Sequence, residues 1–187
     1  MFESKSGNYQ ALSQAGAFTL IELLIVIAII GLLSAISILA LNRSRGQARL
    51  ARVRSDISQF IRAVAIAQGE SGLTLGQMTG SYCSRCDSAC GVWPPGSNDL
   101  RNVPNDNSCY DRWITSLANL EIALGGVAIG ADKIQRDPWG SPYLLDENEC
   151  EGGAGTSADS ICSAGPGGIW AGGDDICFVI PKLNKCP

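Results

Sequence analysis

Glu22 is the one charged residue in the run Phe18-Thr19-Leu20-Ile21-Glu22-Leu23-Leu24-Ile25-Val26-Ile27-Ala28-Ile29-Ile30-Gly31. A carboxylate in hydrocarbon is retained where a partner offsets its charge and a task requires it. An α-amino group created at Phe18 would lie one helical turn from it, within reach of ion pairing. The second chemically active set is eight cysteines, Cys83, Cys86, Cys90, Cys109, Cys150, Cys162, Cys177 and Cys186, all downstream of the apolar run. An even count fits up to four disulfides in an oxidising compartment. Cys83-x2-Cys86-x3-Cys90 with Cys109 also has the thiolate count of a zinc or iron–sulfur site, although zinc motifs usually pair two close Cys-x2-Cys units. The chain has no histidine, which removes the commonest general base and the commonest metal ligand. No nucleophile–base pair is visible, so the sequence reads as non-enzymatic. With 14 basic and 18 acidic residues among 187, the net charge is −4. That balance lacks the basic footprint of a nucleic-acid binder.

The element that must position Glu22 is a helix. Phe18 to Leu41 is interrupted only by Thr19, Glu22, Gly31, Ser34 and Ser37, and about 20 apolar residues span a bilayer core. A secretory signal would have a basic start, a shorter apolar stretch of about 7–15 residues and a small-residue cleavage site after it. Here the leader carries only Lys5 against Glu3. Beyond the apolar run, Leu50, Val53, Ile57, Phe60, Ile61 and Val64 recur at spacings of three and four, the mark of one buried helical face. Gly69, Ser71 and Gly72 end the helix. The expected organisation is a leader at 1–17, a transmembrane or filament-core helix at 18–41, an amphipathic continuation at 42–68 and a cysteine-rich head at 69–187.

The segment Gly16-Ala17-Phe18-Thr19-Leu20-Ile21-Glu22 resembles the N-terminus of type IV prepilins and of type II secretion pseudopilins. In that family a prepilin peptidase cuts after glycine, before Phe-Thr-Leu-Ile-Glu, and methylates the new N-terminus. Here Ala17 is inserted between Gly16 and Phe18. A cut after Gly16 makes Glu22 the sixth mature residue; a cut after Ala17 makes it the fifth, with Phe18 the methylated residue, and preserves the family register. The resemblance implies the type IV pilin fold, an α+β arrangement of a long N-terminal helix packed on a small antiparallel sheet with a disulfide-rich loop region. It also implies a role for Glu22 in filament assembly. The implied partners are further copies of the chain, membrane lipid, the peptidase, an inner-membrane platform protein, an assembly ATPase and minor pilins. The implied location is the inner membrane, spanned once, with the head in the periplasm or outside. Glycine at position 31 softens a helix by about 1 kcal/mol relative to alanine. A pilus subunit for adhesion, motility or DNA uptake and a membrane-anchored binding protein that never polymerises are the other readings.

Arg43, Arg45, Arg49, Arg52 and Arg54 follow the apolar run. The positive-inside rule assigns such a cluster to the cytoplasm, whereas the resemblance places it outside. Contact with lipid headgroups, pairing with acidic residues of neighbouring subunits and a solvated helix face each account for it. Residues 73–112 read as an irregular region, with turns at Trp93-Pro94-Pro95-Gly96 and at Val103-Pro104-Asn105-Asp106-Asn107. A short helix is expected around Trp113–Ile122 and a short strand at Val127–Ile129.

Arg136-Asp137-Pro138-Trp139-Gly140-Ser141-Pro142-Tyr143 reads as a turn with an apolar anchor, Trp139, leading into a strand. It resembles the Asp-Pro-Trp-Gly-x-Pro-Tyr segment of major pseudopilins. Ser163–Ile176 resembles the same proteins' calcium loop, in which a Ser-x-Gly-x-Asp-Gly stretch leads to an acidic pair. Asp174 and Asp175 match the pair, but Gly167 stands where the upstream aspartate would be. Calcium takes about six to eight oxygens, and the resemblance implies calcium there with Asp159 or Asp146 as substitute donors. The alternative is a glycine loop closed by Cys162 and Cys177, its acidic pair solvated or capping backbone amides. Pairing among Cys83–Cys109 and among Cys150, Cys162, Cys177 and Cys186 is expected, but eight cysteines allow on the order of a hundred connectivities.

Overall fold

The computed structural model describes residues 18–80, 90, 98–147 and 158–181. Three helices and three strands follow in chain order: α1 (Leu20–Ser71), α2 (Leu75–Thr79), α3 (Ser108–Ala123), β1 (Leu144–Asp146), β2 (Ser160–Ser163) and β3 (Ile176–Val179). The α+β class expected from sequence is the one observed. The chain divides into two compact units, 1–45 and 46–187.

In the first unit, α1 is apolar on every side and exposed on every side; Leu20, Ile25, Ile30, Leu33 and Ile38 are all at least half exposed. A helix of this kind is stable only where lipid or other helices cover it. It is long and apolar enough to cross a membrane. The two serines add no unsatisfied hydroxyl, since Ser34 Oγ donates to Ile30 O at 2.7 Å and Ser37 Oγ to Leu33 O at 2.9 Å. Such back-bonding is how hydroxyls are accommodated in apolar helices. The helix continues unbroken through Gly31.

The second unit is built on the one-sided part of α1. Val53, Ile57, Phe60 and Val64 are fully buried, joined by Ala63 and Ala67; Ile61 packs at the margin of this core. Leu50 departs from the expected face and is 37% exposed, because the packing partners begin one turn later, at Val53. The helix passes through Gly69 to Ser71, and Gly72 N–H closes it on Gln68 O at 2.8 Å. Trp113, fully buried on α3, stacks at a tilt between Phe60 (5.3 Å) and Tyr143 (5.7 Å). Pairs of this geometry add about 0.5–1.5 kcal/mol beyond the area they bury. The indole N–H is satisfied by Ile134 O at 3.0 Å.

Two elements differ from the sequence reading. The region expected to be irregular contains α2, set by a reciprocal cap in which Thr74 Oγ1 accepts from Gln77 N–H and Gln77 Oε1 accepts from Thr74 N–H. It packs on α3, which itself begins at Ser108 under an Asn107 cap, before the expected start. Conversely, Val127–Ile129 form no strand. Their polar groups go to side chains: Ile129 N–H donates to Glu121 Oε1 at 3.1 Å, and Ile129 O accepts from Gln59 Nε2.

The sheet is antiparallel in the order β1-β2-β3, with Leu144 opposite Cys162 and Cys162 opposite Cys177. Strand alternation sends Leu145 and Ile161 into the core on α1 and α3. Leu144 and Cys162 point to the opposite face, where Leu100, Ala164, Cys90 and Cys109 form a second cluster. The cysteine-rich segment therefore covers a sheet face that would otherwise be wet. Denaturant unfolding of the full chain in detergent tests both layers. Trp113→Ala is expected to cost about 3–5 kcal/mol. Replacing both Cys162 and Cys177 by alanine is expected to cost about 3 kcal/mol, the loop-closure value for a separation of 15 residues.

Candidate functional site

The start of α1 holds the first candidate group. Phe18 precedes the helix and is 85% exposed; Gly16 and Ala17 lie outside the described residues, as does the whole of the expected leader, 1–17. Thr19 and Glu22 form a reciprocal cap. Glu22 Oε2 accepts from Thr19 N–H at 2.9 Å and from Thr19 Oγ1 at 2.8 Å, while Thr19 Oγ1 lies 3.3 Å from Glu22 N–H as its acceptor. This is the Thr-x-x-Glu capping box. The signal is present in the sequence as Thr19-x-x-Glu22. Glu22 thus has a local role, closing the helix end that an N-terminal cut would expose. A carboxylate has acceptor sites beyond the ones used here.

Of the five arginines after the apolar run, Arg52 is tied into its own unit. Its Nε lies 3.5 Å from Asp56 Oδ2, and its Nη2 donates to Lys133 O at 3.3 Å. Asp56 Oδ2 in turn accepts from Tyr143 Oη at 2.8 Å. Burial, with the Asp56 charge beside it, pushes the Tyr143 phenol far above its ordinary value, so it stays protonated and donates to Asp56. Arg43, Arg45, Arg49 and Arg54 are exposed.

The Asp-Pro-Trp-Gly segment is a turn, closed by Gly140 N–H to Asp137 O at 3.0 Å, and it leads into β1 as expected. The anchor differs from the sequence reading: Trp139 is only half-buried, whereas Asp137 is buried. Asp137 Oδ1 accepts from Trp139 N–H (2.9 Å) and Ser141 N–H (3.0 Å), and Oδ2 from Ser163 Oγ (2.6 Å). Arg136 holds the outside of the turn. It donates to Gly140 O at 2.8 Å and to Val103 O at 2.6 Å, and its guanidinium lies 4.3 Å from the centre of the Tyr110 ring. Of these partners, Ser163 and Val103 come from distant segments, which is what the turn pattern alone does not reveal.

The loop between β2 and β3 carries Asp174 and Asp175. Asp174 Oδ2 accepts from Gly167 N–H at 2.6 Å, and Asp175 Oδ1 from Ala171 N–H at 3.3 Å. The acidic pair therefore caps backbone amides. Gly165 (φ +67°) is irreplaceable there, since a Cβ would stand 2.1 Å from Asp174 O. Arg101 reaches in from the cysteine-rich segment and donates to Pro166 O at 3.2 Å. Among the described residues, no three acidic or cysteine side chains converge as metal donors. Gly167 offers no carboxylate, and Arg101 reaches the same loop at Pro166 O.

Cys90 is bonded to Cys109, and Cys162 to Cys177. The first bond removes two of the four thiolates of the alternative metal site; Cys83, Cys86, Cys150 and Cys186 lie outside the described residues. The second closes the loop on the cross-strand pair that flanks it.

Glu22, capped one turn from the Phe18 backbone on a helix with no polar side, matches a known pattern. Residues 12–38 carry the prokaryotic N-terminal methylation motif. It is the signature of type IV pilins and pseudopilins, and it covers residues 12–17 and the apolar part of α1, with nothing of the second unit. No curated protein and no solved structure matches the chain.

Burial holds the Asp137 carboxyl above the usual carboxylate range, against the downward pull of Ser163 Oγ and the turn amides. A raised value means that its contribution is full below the unfolded pKa of about 3.9 and is lost as pH rises through the folded value. Asp137→Asn keeps the Oδ1 acceptor, so its stability relative to the native chain is expected to improve from acid to neutral pH. Asp137→Ala, which orphans two turn amides and the Ser163 hydroxyl, is expected to cost about 2–4 kcal/mol at acid pH and less as pH rises to neutral. Denaturant titrations across pH 3–7 (roughly the carboxylate range) read both.

Proposed function

We propose that this chain is the structural subunit of a type IV pilin-like filament, most like the major pseudopilin of type II secretion. A prepilin peptidase removes the leader and methylates Phe18. The methylation motif over residues 12–38 carries the reading. The apolar helix with every side exposed supports it, because packing among neighbouring helices covers such a surface as well as lipid does. The chain waits in the inner membrane, crossed once, with its head in the periplasm or outside. A platform protein, an assembly ATPase and minor pilins then draw it into the polymer. In the filament the Glu22 carboxylate offsets the amine of a neighbouring subunit; an unpaired charge in that apolar core would be severely costly, so the pair also selects axial register.

The capping box favours a second reading, a membrane-anchored monomer in which Glu22 serves only its own helix. Glutamine fills the same capping position as glutamate but carries no charge. Glu22→Gln therefore separates the two. The filament reading expects normal membrane levels of the processed subunit and no polymer in both Glu22→Gln and Glu22→Ala, scored by shearing and electron microscopy. The monomer reading expects Glu22→Gln to behave as the native chain. Mass spectrometry of the membrane-extracted protein completes the test: a chain beginning at Phe18 or Ala17 with an added methyl supports processing, and one still beginning at Met1 beside an active peptidase refutes it.

A further inference from the structure

Segment 98–102 crosses the loop that joins β2 to β3 and is fastened to it along its length. Asp99 forms an isolated antiparallel bridge with Ile169, and Leu100 N–H donates to Gly168 O at 2.7 Å. Asn102 N–H donates to Gly140 O at 3.0 Å, which ties the same segment to the Asp-Pro-Trp-Gly turn. Leu100, buried, seals the second face of the sheet.

Arg101 stands at the centre of this crossing. Its Nε lies 2.9 Å from Asp99 Oδ1 and its Nη2 2.6 Å from Asp99 Oδ2, a two-pronged pair, while Nη1 reaches Pro166 O at 3.2 Å. Fork geometry of this kind is specific to a guanidinium. The Asp99 carboxylate, and behind it Asp174, raise the arginine's already high pKa; Asp99 itself is held below its ordinary value by Arg101. The site is shaped to the arginine stem. At Gly168 (φ +69°) an added Cβ would lie 2.4 Å from Arg101 Cγ and 2.6 Å from Asp99 Oδ1.

Several of the oxygens that a cation would use here already have a partner. Both Asp99 carboxylate oxygens and Pro166 O face the guanidinium, and Asp174 Oδ2 holds Gly167 N–H. A divalent ion would compete with a fixed positive charge for the same ligands, and calcium needs about six to eight oxygens. We propose that Arg101 is a built-in cation: its guanidinium, delivered by the cysteine-rich segment, closes the 163–175 loop in the place of calcium. The head then assembles without the metal, and the segment that seals the sheet also locks the loop.

Hydrogen exchange of the full-length protein in detergent, followed by mass spectrometry, tests this independently of whether the chain forms filaments. Exchange in 163–176 of the native chain is expected to be the same in calcium chloride and in chelator. Arg101→Met is expected to speed exchange at Leu100, Gly167 and Gly168 several-fold, with the amides of Val53–Ala67 unchanged. Asp99→Asn, which leaves the arginine in place without its orienting charge, is expected to give the same local pattern more weakly and serves if Arg101→Met fails to fold. Calcium-dependent protection of the loop in the native chain would overturn the proposal, and so would native-like exchange in both variants.

Discussion

The head depends on one packing event, the insertion of Trp113 between Phe60 of α1 and Tyr143 at the entry to β1. These three rings come from the long helix, the second large helix and the sheet, so one contact fixes all three to each other. The polar ends of the rings are used as well. The Trp113 N–H holds the Ile134 carbonyl, and the Tyr143 hydroxyl holds Asp56, which Arg52 also approaches. A buried aromatic that also satisfies its hydrogen bond specifies position as well as depth.

Strands of three or four residues leave much of the backbone without ladder partners, and side chains take over. Asp137 binds two turn amides, Arg136 binds two carbonyls, Gln59 holds Ile129 O, and Asp174 and Asp175 cap loop amides. Buried backbone groups must be paired, so a head with so small a sheet needs this many polar side chains in fixed places. The disulfides act on the same problem by closing loops that have little regular structure of their own.

Glu22 meets one physical need within its own helix and a second in the proposed filament. A helix that begins in an apolar environment presents unpaired amides at its first turn, and Thr19 with Glu22 satisfies two of them. The same negative charge also suits the positive end of the helix dipole and the amine that processing would create. Methylation-motif residues and capping residues thus coincide.

Patterns decided by local chemistry were legible in the sequence: the apolar run, the buried stripe of Val53, Ile57, Phe60 and Val64, the helix end near Gly72, and the Asp-Pro-Trp-Gly turn. Each depends on residues within a few positions of one another. Thr19–Glu22 and Thr74–Gln77 were equally local and carried readable capping signals. What tertiary structure alone decided was which distant groups meet. The absence of a strand at Val127–Ile129 follows from Gln59 and Glu121 claiming its backbone. Trp139 yields the anchoring role to buried Asp137 because Ser163 lies across the turn. Arg101 occupies the loop near Asp174 because the cysteine-rich segment crosses there. Periodicity and spacing report the environment of a residue along its own element; they carry no record of the partner that another segment brings to it.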